Sequence, residues 1–192
     1  QVSEFELRIF LSKPHMSGTE QGWISDAFKA NFIAPVGPQL DLFEEKVAEF
    51  LGENVHCVAV SSGTSALHLA LRIADVEPSD EVWVSSMTFA GGVFPINYLN
   101  ATPVFFDLDP LTWTIDVNLV EEQLLNAAKQ NRLPKAIIPT DLYGQSVDLG
   151  PLENAAERYG IRLIVDSAES FGAEYKEGRK AGTGGDASIL SF

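Results

Sequence analysis

The apolar positions of this chain change period once, near Gly52. Before it, Trp23, Ile24, Ala27 and Phe28 recur at helical spacing within "SGTEQGWISDAFKANF", and "LDLFEEKVAEFLG" repeats the pattern after "APVGP". Each stretch predicts an amphipathic helix, because residues three and four apart share one helix face. Beyond Gly52, short β-rich runs take over: "VHCVAV", "EVWVSS", "TPVFFDLD", "KAIIPT", "IRLIVD" and "ASILSF". They are apolar on both faces, and most are separated by stretches of helix length such as 64–74, 117–130 and 151–159. Strands buried on both sides and joined by helical crossovers predict a mainly parallel sheet between two layers of helices. The expected fold is therefore a three-layer α/β/α sandwich with right-handed crossovers.

There is no internal repeat, low-complexity tract or long linker, and the Pro/Gly clusters are of loop length. The opening "SEFELR" reads like translated linker, so residues 1–8 are set apart as a linker or tag remnant and 9–192 are taken as one incomplete domain.

In sheets of this kind, ligands gather at the carboxyl ends of the strands. The polar segments sit in those places: "SSGTS" follows the first run, "SSMTFA" the second, "TDLYGQ" the fourth and "DSAES" the fifth. Ser61, Ser62, Gly63, Thr64 and Ser65 lie between a strand and a helix, where free N–H groups, hydroxyls and the helix dipole favour a phosphate. Ser and Thr are equally the preferred helix caps, so capping alone stays open. Neither the P-loop pattern nor the dinucleotide glycine pattern is present. Phe89 is either core or an exposed platform for a planar ring. His68 has no metal-ligand companion nearby and is expected to be structural, and no metal site is expected. Asp166 ends an apolar run, and a carboxylate there loses hydration and needs a cationic or hydrogen-bonding partner. A protonated heteroaromatic nitrogen satisfies that need, as would a helix cap or an ion pair.

Charge narrows the partners. Thirteen basic against 27 acidic side chains leave a net −14, which repels nucleic-acid backbones and anionic membranes, so an anionic ligand must be held by local amides or by a few well-placed cations. Cys57 is the single cysteine and is expected to be a small buried hydrophobe; with no disulfide framework, a reducing cytoplasm is the expected compartment. No run approaches the ~20 apolar residues of a membrane span, and no signal peptide opens the chain.

A phosphate seat, an aromatic platform and a strand-end acid match the three handles of pyridoxal 5′-phosphate: its phosphate, ring face and pyridine nitrogen. The ordered segments "GPQLDLFEEKVAEFLG", "AVSSGTSALHLAL", "TFAGGVFPINYLNATPVFFDLD", "DLYGQSVDL" and "IVDSAESFGAEYKEGRKAGTGGDASILSF" resemble the DegT/DnrJ/EryC1/StrS sugar aminotransferases, enzymes of fold type I. The resemblance spans nearly all of residues 9–192. It implies that Gly63, Thr64 and Ser65 hold the cofactor phosphate, with Ser191 adding a hydroxyl. Phe89 would stack on the ring and Asp166 pair with the pyridine nitrogen. The family often carries His or Gln at the position of Glu169, near the phenolic oxygen, and a carboxylate there has to be protonated or bridged by water to sit beside a phenolate.

The resemblance also implies a Schiff-base lysine a few residues beyond the "SF" pair, whereas this chain stops at Phe192. No catalytic residue is therefore assigned within it, and the chain alone is expected to be inactive, the large domain truncated before a C-terminal small domain. For the whole enzyme the resemblance implies a homodimer that moves an amine from glutamate to a nucleotide sugar. "SKPHMSG" and "NFIAPVGP" are most similar to members that form UDP-4-amino-4,6-dideoxy-N-acetylglucosamine from a 4-keto-6-deoxy sugar for bacterial glycans. A sugar dehydratase of the same family and a non-catalytic phosphate-ligand-binding fragment are the alternatives.

Overall fold

The computed structural model describes residues 14–192, so the linker expected over 1–8 lies outside the described residues. The described residues divide into two compact units, the first ending at residue 43 and the second spanning 44–192. In the first, helix α1 runs over Glu20–Lys29 as its periodicity predicts. The Glu20 carboxylate accepts the N–H of Ser17 at 2.6 Å and of Gly18 at 2.9 Å, fixing the entry to the helix. Its apolar stripe of Trp23, Ile24 and Phe28 is exposed. Helix α2, Pro38–Leu51, begins in this unit and ends in the next, where Val47 and Leu51 are buried.

The second unit holds the sheet. Its further elements are α3 (Gly63–Ile73), β1 (Glu81–Ser85), a 3₁₀ turn (Ala90–Gly92), α4 (Phe94–Tyr98), β2 (Thr102–Phe106), α5 (Val117–Lys129), β3 (Ala136–Ile138), α6 (Leu149–Tyr159), β4 (Arg162–Asp166) and β5 (Ala187–Ile189). The strands lie in the order β2-β1-β3-β4-β5, every pairing parallel. Alternation along each strand builds the two cores. Val82, Val84, Ile138 and Ile164 point into one cluster with Leu67 and Leu71 of α3 and Ile96 of α4. Trp83, Ile137, Leu163 and Val165 point into the other, with Val120 and Leu124 of α5 and Leu152 of α6. Two apolar faces on one sheet need two helical layers, which gives the predicted three-layer sandwich.

One predicted strand is absent. "VHCVAV" forms no ladder with any described residue, although its side chains alternate in exposure as a strand's would, with Val58 69% and Val60 41% exposed. A strand exists through its neighbour's hydrogen bonds, and this segment pairs with neither edge strand, β2 or β5. The Ala59 N–H donates instead to the Glu44 carboxylate at 2.8 Å.

Candidate cofactor-binding site

At the start of α3 the capping and phosphate-seat readings divide between neighbouring residues. Ser62 is the N-cap, in extended conformation, and its hydroxyl accepts the Ser65 N–H at 3.1 Å. The Ser65 hydroxyl lies 3.1 Å from that of Ser61 and 3.0 Å from that of Ser62. Thr64 makes no side-chain hydrogen bond among the described residues, so its hydroxyl is available to a ligand at the positive end of α3. Gly63 abuts the end of β5: a Cβ built on it would lie 3.7 Å from both Ile189 Cγ2 and Ser191 Cβ. Ser191 thus stands beside the first turn of α3.

Two glycines join this end of the site to Asp166. A Cβ on Gly91 would fall 2.5 Å from Thr64 Oγ1 and 3.0 Å from the Phe89 ring. A Cβ on Gly92 would fall 2.7 Å from Thr88 Oγ1 and 3.1 Å from Asp166 Oδ2. Bare backbone at both positions is what lets Thr64, Phe89, Thr88 and Asp166 border one cradle. Phe89 precedes the 3₁₀ turn and is 76% exposed, so it is no core residue. His68 packs edge-on against Tyr98, ring centroids 5.7 Å apart, as a structural residue does.

Asp166 closes β4 and is only 7% exposed. Its Oδ1 accepts one N–H, from Ala168 at 3.2 Å. Burial is the main cause that pushes its pKa up to about 6; the Ala168 N–H opposes this, and the nearby Glu169 and Asp141 carboxylates add to it. No cation offsets them among the described residues. Beside it, Thr140 pairs with Asp166 in a parallel bridge, so both side chains face the same side of the sheet, and the Thr140 hydroxyl is buried without a hydrogen-bond partner. Glu169 is exposed, and its Oε2 accepts the Tyr143 N–H at 2.7 Å.

Of the residues singled out in the sequence, the structure brings Gly63, Thr64, Ser65 and Ser191 to one end of the cradle, Phe89 to its side and Asp166 to its floor. Glu169 is drawn toward the 141–145 loop instead of standing free. Thr88, Gly91, Gly92 and Thr140 were missed; the pair of glycines two residues after Phe89 was the available signal.

This donor set fits pyridoxal 5′-phosphate: a helix N-terminus with a spare hydroxyl, a cradle that a Cβ would fill, a buried carboxylate without a cation and an orphaned hydroxyl beside it. Among the described residues no cluster of three or more His, Cys, Asp or Glu could hold a metal, and no helix is long and apolar enough to cross a membrane.

Residues 14–192 match the DegT/DnrJ/EryC1/StrS aminotransferase family, and the chain belongs to it. It is 45% identical over 185 residues to the "Putative pyridoxal phosphate-dependent aminotransferase EpsN" of Bacillus subtilis (strain 168), covering 96% of this chain and 47% of that protein. It is 36% identical to the "GDP-perosamine synthase" of Caulobacter vibrioides, covering 96% and 48%. Among solved structures, the aminotransferase from Psychrobacter cryohalolentis superposes with a TM-score of 0.83 at 28% identity, over 96% of this chain and 45% of that one. A DegT DnrJ EryC1 StrS aminotransferase from Brucella abortus gives 0.79 at 32% identity, over 93% and 50%. The chain spans about half the length of these relatives. Pyridoxal 5′-phosphate is the cofactor that membership implies.

Proposed function

We propose that this chain carries the cofactor cradle of a pyridoxal-phosphate-dependent aminotransferase that moves an amine from glutamate to a 4-keto-6-deoxy nucleotide sugar in bacterial glycan synthesis. The observation that carries the reading is Asp166, buried beside two other carboxylates and met by one N–H. A protonated pyridine nitrogen supplies the missing positive partner, and the aspartate in turn keeps that nitrogen protonated. When bound, the cofactor supplies the electron sink for the carbon that loses or gains the amine. The residues do the holding. The Gly63 and Thr64 N–H groups with the Thr64, Ser65 and Ser191 hydroxyls receive the phosphate, Phe89 covers one ring face, and Glu169 lies on the side of the 141–145 loop.

Relatives named for GDP-, UDP- and dTDP-linked amino sugars support a nucleotide sugar as acceptor. The segments that form the cradle, 61–65, 88–92, 140–145, 166–170 and 189–192, contain no lysine. The covalent anchor is therefore proposed to come from outside them, and this chain alone is proposed to be inactive. The exposed aromatics Phe94 and Tyr98 support a homodimer with its site at the subunit boundary; the proposed location is the cytoplasm. The test is to incubate the full-length protein with pyridoxal phosphate, glutamate and a UDP-linked 4-keto-6-deoxy sugar and to follow the sugar by mass spectrometry. An amino sugar with matching 2-oxoglutarate is expected; loss of water from the sugar without amine transfer would overturn the reading.

A further inference from the structure

Asp141, just beyond β3, is a second buried carboxylate that the cradle does not use. It is fully buried, and four donors converge on it. Oδ1 accepts the Val147 N–H at 2.9 Å; Oδ2 accepts the hydroxyls of Ser167 at 2.8 Å, Ser170 at 3.0 Å and Tyr175 at 3.1 Å. Two of these hydroxyls belong to the turn that begins at Asp166 and contains Glu169, and Val147 ends the loop that contains Tyr143. Backbone bonds continue the link, from Asp141 N–H to the Asp166 carbonyl and from Asp166 N–H to the Pro139 carbonyl, both 2.9 Å.

We propose that Asp141 is a positioning residue for the cofactor site, its carboxylate fastening the 166–170 turn to the 141–147 loop and so fixing Asp166 and Glu169 where the cofactor needs them. The proposal rests on the cofactor reading of those two residues. A buried carboxylate with its donors in place is rigid, because freeing any one donor leaves a charge underpartnered in a low-dielectric interior. The exposed bond from Tyr143 N–H to Glu169 spans the same two segments and has no such protection. Asp141 also acts by charge. The groups near Asp166 are Glu169 from its own turn, the Ala168 N–H, the Thr88 hydroxyl across Gly92, and Asp141 just beyond β3, whose side chain lies on the other side of the sheet; both carboxylates raise its pKa, less than burial does.

The experiment compares wild type, Asp141→Ala, Asp141→Asn and Ser170→Ala by amide hydrogen exchange and by ¹³C titration of the Asp166 carboxyl, all without cofactor. Asp141→Ala is expected to speed exchange at Tyr143 and Ala168 by about tenfold relative to Val84 of β1, and Ser170→Ala by roughly threefold, as hydrogen bonds to a charged group are lost. Asp141→Asn, which keeps the shape and removes a like charge, is expected to lower the Asp166 midpoint. Should Tyr143 and Ala168 speed up no more than Val84, or the midpoint stay at its wild-type value in Asp141→Asn, Asp141 serves general stability and the proposal is overturned. If the alanine variant does not fold, Ser170→Ala decides by the same ratio. Failure of the wild type to bind pyridoxal phosphate would overturn the functional reading and leave these measurements standing.

Discussion

The ends of β3 and β4 lie side by side, and each delivers a buried aspartate, yet their surroundings are opposite. Asp141 is met by one N–H and three hydroxyls; Asp166, on the neighbouring strand, is met by one N–H and lies within the influence of two like charges. The first is the pattern of a structural carboxylate, since buried polar groups are ordinarily satisfied within the fold. The second is tolerated because a ligand completes it, and perturbed carboxylates concentrate at such places. Burial alone therefore does not mark a functional acid; the lack of partners does.

The largest effect expected from this contrast is on pH-dependent stability without cofactor. The Asp166 pKa is raised from 3.8 to about 6, so between those values the folded state binds more protons than the unfolded one. Stability from this group is present below pH 4, falls as pH rises through 6 and stays lost above it, by up to about 3 kcal/mol. Urea melts at pH 4.5 and 7.5, with Asp166→Asn as the reference for all other groups, check this. Next, Asp166→Asn should weaken pyridoxal phosphate binding at pH 7 by about 1.5–3 kcal/mol, since a charged hydrogen-bond partner is lost, as read by calorimetric titration. Thr64→Ala should follow at about tenfold, because one phosphate donor is lost while the backbone N–H groups remain, as measured by fluorescence titration. Gly91→Ala should be the mildest. Its methyl would lie 2.5 Å from Thr64 Oγ1, and turning that side chain aside should cost a few-fold in affinity with the circular dichroism unchanged.

Much of the architecture was legible because the period of apolar residues changes from helical to strand-like near Gly52 and the strands are apolar on both faces. Two features were not. "VHCVAV" has the composition and alternation of a strand, but a ladder needs a neighbour, and sequence pattern does not supply one. The periodicity of Trp23, Ile24 and Phe28 predicted helix α1 correctly but not that this apolar stripe is exposed. Within the site, Asp166 and Thr64 stand out because each sits at a strand or helix end. Gly92 and Asp141 do not, because their roles come from meeting residues remote in the chain: Gly92 approaches Asp166, and Asp141 gathers Ser167, Ser170 and Tyr175. Ser62 and Ser65 show how a single motif can hold two readings at once, one pair capping the helix while Thr64 stays available.

The most direct test of the claim that Asp166 is held short of partners for a bound cation is a set of thermal melts at pH 7 of wild type and Asp166→Asn, each with and without saturating pyridoxal phosphate. Without cofactor the asparagine variant should melt higher, by a few degrees for a chain of this size, because an unpartnered buried charge is gone. With cofactor the order should reverse, because only the wild type offers the ring nitrogen a carboxylate. An asparagine variant that melts lower without cofactor, or that the cofactor stabilises as much as it does the wild type, would contradict the account.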